Sequence, residues 1–168
     1  MHKIKSSGII FVCLLFSLSA CVANEKVHQL NISKSIKVEI HEKNIDMGAN
    51  KNNLPNGNIV FGSTTGNPKT YISKILFTVN NTPYILENKY MYNSWGNRPL
   101  EIPNVIKYFD AHCYDNTNCT IRGIFSDAAG SFVAEWKIIN GKPTRTMITD
   151  SNDILNLFSK NISPPAFD

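Results

Sequence analysis

Ser131–Thr149, SFVAEWKIINGKPTRTMIT, is the stretch that decides the fold. Phe132, Ala134, Trp136 and Ile138 alternate with Val133, Glu135, Lys137 and Ile139, the period-two pattern of a strand with two distinct faces. Asn140-Gly141 follows, a pair that tolerates positive φ at both turn positions and so closes a two-residue hairpin. Pro143 cannot donate to a ladder, which suits an edge strand or a strand start. Arg145, Met147 and Thr149 then alternate with Thr146 and Ile148 on the return. Across this hairpin Glu135 and Arg145 are expected to face each other.

Outward from this hairpin the signals remain those of sheet. On the N-terminal side, Thr120–Phe125 and Val105–Phe109 read as strands flanking a small loop, and Asp127–Ser131 reads as a compact turn. Further upstream, Ile75–Val79 and Tyr84–Leu86 flank Asn80-Asn81-Thr82-Pro83, a hairpin with a longer turn. Ile59–Phe61 is a short apolar run after the turn chemistry of Leu54-Pro55-Asn56-Gly57-Asn58. On the C-terminal side, Asp150 or Ser151 caps a helix carrying Ile154, Leu155, Leu157, Phe158 and Ile162, ended by Pro164-Pro165. The expected class is α+β: a mainly antiparallel sheet with a C-terminal helix packed on it.

The chain has 168 residues, and its 42% hydrophobic content is enough for one packed core beyond a leader. Residues 22–56 are polar and rich in Asn and Lys, with one alternating patch, Ile36–Ile40. They read as a tether with a possible first strand. The organisation expected is therefore a leader over 1–20, a tether over 21–56 and a globular domain over 57–168.

The leader, MHKIKSSGIIFVCLLFSLSA, has Lys3 and Lys5 ahead of an apolar stretch from Gly8 to Leu18, too short to span a bilayer. It ends in Leu18-Ser19-Ala20-Cys21, which resembles the lipobox of bacterial lipoprotein precursors at all four positions. The resemblance implies that Cys21 is acylated and becomes the first residue of the mature chain, with several acyl chains giving a near-permanent anchor. Val22, standing where an inner-membrane retention signal has Asp, implies outer-membrane sorting. A second route is open: small residues at Cys21 and Ala23 allow cleavage before Asn24, leaving a soluble periplasmic protein.

Loss of residues 1–20 leaves 148 residues and lowers the formal charge from +4 to +2, because two lysines go with the leader. A nucleic-acid partner is not expected from so small an excess. Cys13 leaves as well and Cys21 is lipidated, so in an oxidising envelope Cys113 and Cys119 pair as a disulfide. A bonded sulfur is no nucleophile, which sets aside His112–Cys113 as a catalytic pair.

No phosphate loop, GxSxG elbow or HExxH occurs. His28, His41 and His112 are scattered, so neither a metal site nor a cofactor is expected. Asp110, His112 and Asp115, with Ser126 or Ser131, sketch a hydrolase cluster, but a polar loop beside a structural disulfide explains the same residues. Asp110, His112, Tyr114, Asp115 and Asn116, with Asp127 and Ser131 on the neighbouring turn, are instead expected to bind a protein partner. A bridge across Cys113–Cys119 pre-organises that loop and lowers the ordering cost of binding. Tyr90, Tyr92 and Trp95 are further candidate anchors, or core residues.

Size, address and architecture make the chain similar to immunity lipoproteins that neutralise periplasm-acting toxins, and to inhibitors of cell-wall hydrolases. That resemblance implies occlusion of a partner's active site without catalysis. The alternatives are a structural or assembly lipoprotein of the envelope, and a small hydrolase using His112.

Overall fold

The computed structural model describes residues 25–45, 54–62, 68–93, 109–125 and 130–161. The leader, Cys21, Trp95, Ser126, Asp127 and Ile162 lie outside the described residues, as does most of the expected strand Val105–Phe109.

Two antiparallel sheets share one core. The first is built from β1 (Glu25–Asn31), β2 (Ile36–Asn44), β3 (Thr70–Val79) and β4 (Thr82–Leu86) in that spatial order, with the short β5 (Tyr92–Asn93) also on β3. The second is a meander of β6 (Phe109–Asp115), β7 (Asn118–Phe125), β8 (Phe132–Ile139) and β9 (Lys142–Thr149). The helix α1 (Asn152–Asn161) follows. Among the described residues no helix is long and apolar enough to cross a membrane.

Alternation explains which side chains go inside. Ile36, Val38 and Ile40 of β2 face inward, as do Ile75, Phe77 and Val79 of β3. In β3 the inward set steps from Ile72 to Ile75, because the β2–β3 register shifts between His41 and Glu42 and leaves Ser73 as an extra residue. That bulge keeps both isoleucines in the core. From the second sheet come Phe109, Ile121, Phe125, Phe132, Trp136 and Ile138, all buried. Phe125 stacks on Phe132 at 5.1 Å between ring centroids, and Trp136 meets Phe125 edge-on at 6.2 Å. The indole Nε1 of Trp136 donates to the Glu87 carbonyl at 2.8 Å, tying the second sheet to the end of β4.

The expected fold class is corrected here. Antiparallel strands and a terminal helix are both present, but the core is closed by one sheet on another and contains no helical residue. The helix buries only Phe158, in a small satellite cluster with Ile124 and Val133, while Leu157 stays 53% exposed. Its apolar face is narrower than the sequence suggests, because the two sheets already cover each other's apolar faces.

Other differences are local. The stretch 25–44, read as tether with one possible strand, forms two strands, β2 lying inside the sheet. Asn80-Asn81 alone makes the β3–β4 turn, with φ of 45° and 65°, so Thr82 and Pro83 already belong to β4. Glu135 and Arg145 do not pair. A bulge at Thr146 sets Glu135 opposite Met147 and Arg145 opposite Trp136, which sends the two side chains to different faces. Arg145 Nη2 binds Glu87 Oε1 at 2.8 Å instead. Tyr92 is a core residue whose hydroxyl donates to Gly57 O at 2.7 Å and accepts from Asn56 N at 2.9 Å.

Candidate functional site: the braced hairpin

Strands β6 and β7 form a hairpin whose turn is only Asn116-Thr117. Cys113 and Cys119 are direct cross-strand partners joined by a disulfide, so the bridge sits within the ladder and not around a separate loop. Between Cys113 and Asp115 the register slips, leaving Tyr114 as a bulged residue. Its side chain is 90% exposed. A bulge re-aims the side chain it carries, and here it aims a large aromatic ring at solvent.

The turn beneath this ring is tightly bonded. Asp115 Oδ1 accepts from Thr117 N at 2.6 Å and Thr117 Oγ1 at 2.8 Å, and Oδ2 accepts from Asn118 Nδ2 at 2.9 Å. These bonds, Asn118 foremost, hold the carboxyl below its ordinary pKa. Asp115 thus spends its carboxylate on its own turn and not on His112, and the acid–base cluster that the spacing suggests does not assemble around it.

Neighbouring turns lock onto this one. Asn80 Nδ2 donates to Asn116 Oδ1 at 2.6 Å, and the Tyr84 hydroxyl donates to Asn116 O at 2.8 Å. Gly141 N donates to Thr117 O at 2.9 Å, and Asn140 N to Asn118 Oδ1 at 3.1 Å. Asn80 N also donates to Ser35 O at 2.8 Å, which brings in the β1–β2 turn. Both strand pairs of each sheet therefore turn at the same end of the molecule.

On the outer face of the second sheet, cross-strand rows run away from this end. His112, Thr120, Lys137 and Thr144 form one row, and Asp110, Arg122 and Glu135 the next. His112, Tyr114, Asn118, Thr120, Lys137 and Ile139 line a shallow hollow of about 250 Å³. In the next row Arg122 Nε donates to Glu135 Oε2 at 2.7 Å, with its guanidinium over the Phe158 ring. Further on, α1 covers the face. Of the residues expected to bind a partner, Asp110, His112, Tyr114, Asp115 and Asn116 thus fall on one hairpin. Ser131 is half-buried at the start of β8, far along the sheet from the turn.

A second polar cluster was not visible in the sequence. Glu42 is buried in the first sheet, where Oε2 lies 3.2 Å from His28 Nε2. Oε1 accepts from Asn93 Nδ2 at 3.0 Å and from the Thr70 hydroxyl. Burial raises its pKa, but the bonds from His28, Thr70 and Asn93 outweigh burial and bring the carboxyl below its ordinary value. An ionised carboxylate only accepts, so His28 Nε2 carries the proton of that bond. The four residues come from β1, β2, β3 and β5, and they latch those strands together. His28 is buried here, not a surface residue of a tether; the one hint is its period-two spacing from Leu30.

Among the described residues no group of three or more His, Cys, Asp or Glu side chains could hold a metal ion. Compared with protein-family models, with curated proteins and with solved structures, the chain matches none.

Proposed function

We propose that the chain is an exported envelope lipoprotein that works without catalysis, binding and neutralising a protein partner as an immunity protein or inhibitor of a periplasm-acting toxin or cell-wall hydrolase. The observation that carries this reading is Tyr114, almost fully exposed on a hairpin braced by a disulfide and bonded to its neighbouring turns. A large aromatic held at solvent contributes nothing to the core. Carried on a braced hairpin, it suits a partner's pocket, because little backbone freedom is left to lose on binding. The mechanism is occlusion: the hairpin enters the partner's cleft and blocks access to it. Lipidation of Cys21 then holds the inhibitor at the outer membrane, where an incoming toxin is met; cleavage before Asn24 would supply the same domain in soluble form.

The test pairs the purified domain with the secreted protein encoded beside its gene. Inhibition of that protein's activity is expected, and Tyr114→Ala should weaken binding by about 2 kcal/mol, roughly 30-fold. Deleting the gene should harm cells only when that toxin is present. An envelope defect in the deletion strain without any attacker would instead assign the chain to envelope assembly.

A further inference from the structure

We infer that the partner docks end-on against the turn end of the molecule through an acidic surface, with Tyr114 and Ile139 as apolar anchors. The inference rests on the partner-binding reading and adds the face and the partner's chemistry.

Strand polarity defines this end. The four turns at 32–35, 80–81, 116–117 and 140–141 all lie there, and the bonds through Asn80, Asn116, Thr117 and Asn140 make them one surface. Within three residues of these turns the charged side chains are Lys34, Lys37, Lys137 and Lys142, all exposed, and one carboxylate, Asp115. Asp115 is exposed as well and bonded to Thr117 and Asn118, so the four lysines outnumber the acid and leave this end with a formal charge of +3. Ile139 is 57% exposed beside Lys137 and the hollow under Tyr114. An apolar centre with a basic rim fits a partner whose own rim is acidic. Such rims mainly steer association and reject wrong partners, an effect that salt weakens.

Among the described residues the opposite end is of mixed sign, with Glu25, Lys26, Lys43, Lys69, Asp150 and Asp153. It is also where the described chain starts, at Glu25. Four chain steps separate Cys21 from Glu25, at most about 14 Å. An acyl chain at Cys21 would therefore tether the molecule close to its mixed end and leave the basic end free for a partner.

A photo-crosslinking amino acid, p-benzoylphenylalanine, placed in the full chain at Ile139 or, on α1, at Leu157 tests this in cells expressing the protein from its own locus. The expected result is an adduct from position 139 and none from 157, with the crosslinked partner peptide rich in Asp and Glu. Lys137→Glu with Lys142→Glu should reduce the adduct at least tenfold, and Lys137→Gln with Lys142→Gln should reduce it less. Lys137 and Lys142 are exposed, and unchanged tryptophan fluorescence checks folding. Equal adducts from both positions, no adduct from 139, or an adduct indifferent to charge reversal would overturn the inference. A charge-sensitive adduct from 139 to a resident envelope component would keep the docking face and defeat the immunity reading.

Discussion

Replacing Glu42 by glutamine removes one charge and almost no volume from the first sheet. The native carboxylate accepts from His28, Thr70 and Asn93. Glutamine keeps a carbonyl oxygen for Thr70 and Asn93, and a change of His28 tautomer lets Nε2 accept from the new amide. Three charge-assisted bonds then become neutral ones, a loss of about 1 kcal/mol each. Relief from burying a charge returns about 1 kcal/mol, so Glu42→Gln should cost about 2 kcal/mol at pH 7. Glu42→Ala removes the acceptor shared by His28, Thr70 and Asn93 and should cost about 5 kcal/mol. The pH dependence follows from the lowered carboxyl pKa. A carboxyl whose folded pKa lies below its unfolded value of 4.5 contributes stability above that pH, and the contribution is lost as pH falls through the folded value. The gap between wild type and Glu42→Gln should therefore close on acidification below about pH 4.5. Urea denaturation followed through tryptophan fluorescence, to which Trp136, fully buried in the shared core, contributes, measures it. A glutamine variant as stable as wild type at pH 7, or a gap unchanged at pH 3.5, would refute the reasoning.

Three further perturbations separate the parts of the fold. Gly62→Ala places a methyl group 1.9 Å from the Tyr92 carbonyl oxygen at a φ of +99°, so it should lower stability by more than 3 kcal/mol or prevent folding, read as loss of soluble protein or of midpoint in urea. Replacing Cys113 and Cys119 together by Ser should cost about 2–3 kcal/mol while leaving the strand content in circular dichroism unchanged, since the ladder continues on both sides of the bridge. Phe158→Ala should lose about 2–3 kcal/mol and speed amide exchange in α1, whereas Leu157→Ala, one residue earlier and 53% exposed, should change stability by less than about 0.5 kcal/mol.

What was legible in the sequence follows from how local each determinant is. The β8–β9 hairpin is legible except for its bulge at Thr146, because alternation and the Asn140-Gly141 turn both act within a few residues. The Cys113–Cys119 pairing came from arithmetic on the leader. Strand β1 escaped because only His28 and Leu30 face inward, and a histidine among Glu, Lys and Gln carries no apolar signal. Strand β2 ends beyond Ile40 with an inward carboxylate, tolerable only because three other strands supply its donors. The division into two sheets is decided by which apolar faces meet, a long-range matter that periodicity does not encode. At the candidate site, Tyr114 and its neighbours stand out by their place in a polar segment beside the paired cysteines, whereas the bulge that turns the ring outward, and the gathering of four turns at one end, depend on register.

The latch at Glu42 has a consequence for the order in which the polypeptide acquires structure. His28 and Asn93, which both bond to this carboxylate, are separated by 65 positions along the chain. A nascent chain emerging amino-terminus first presents the acid long before the amide that completes its shell. Until residue 93 arrives, hydration is the better solvent for that charge, and closure of the early strands is disfavoured. The carboxylate's shell is complete only once Asn93, its last contributor, has emerged.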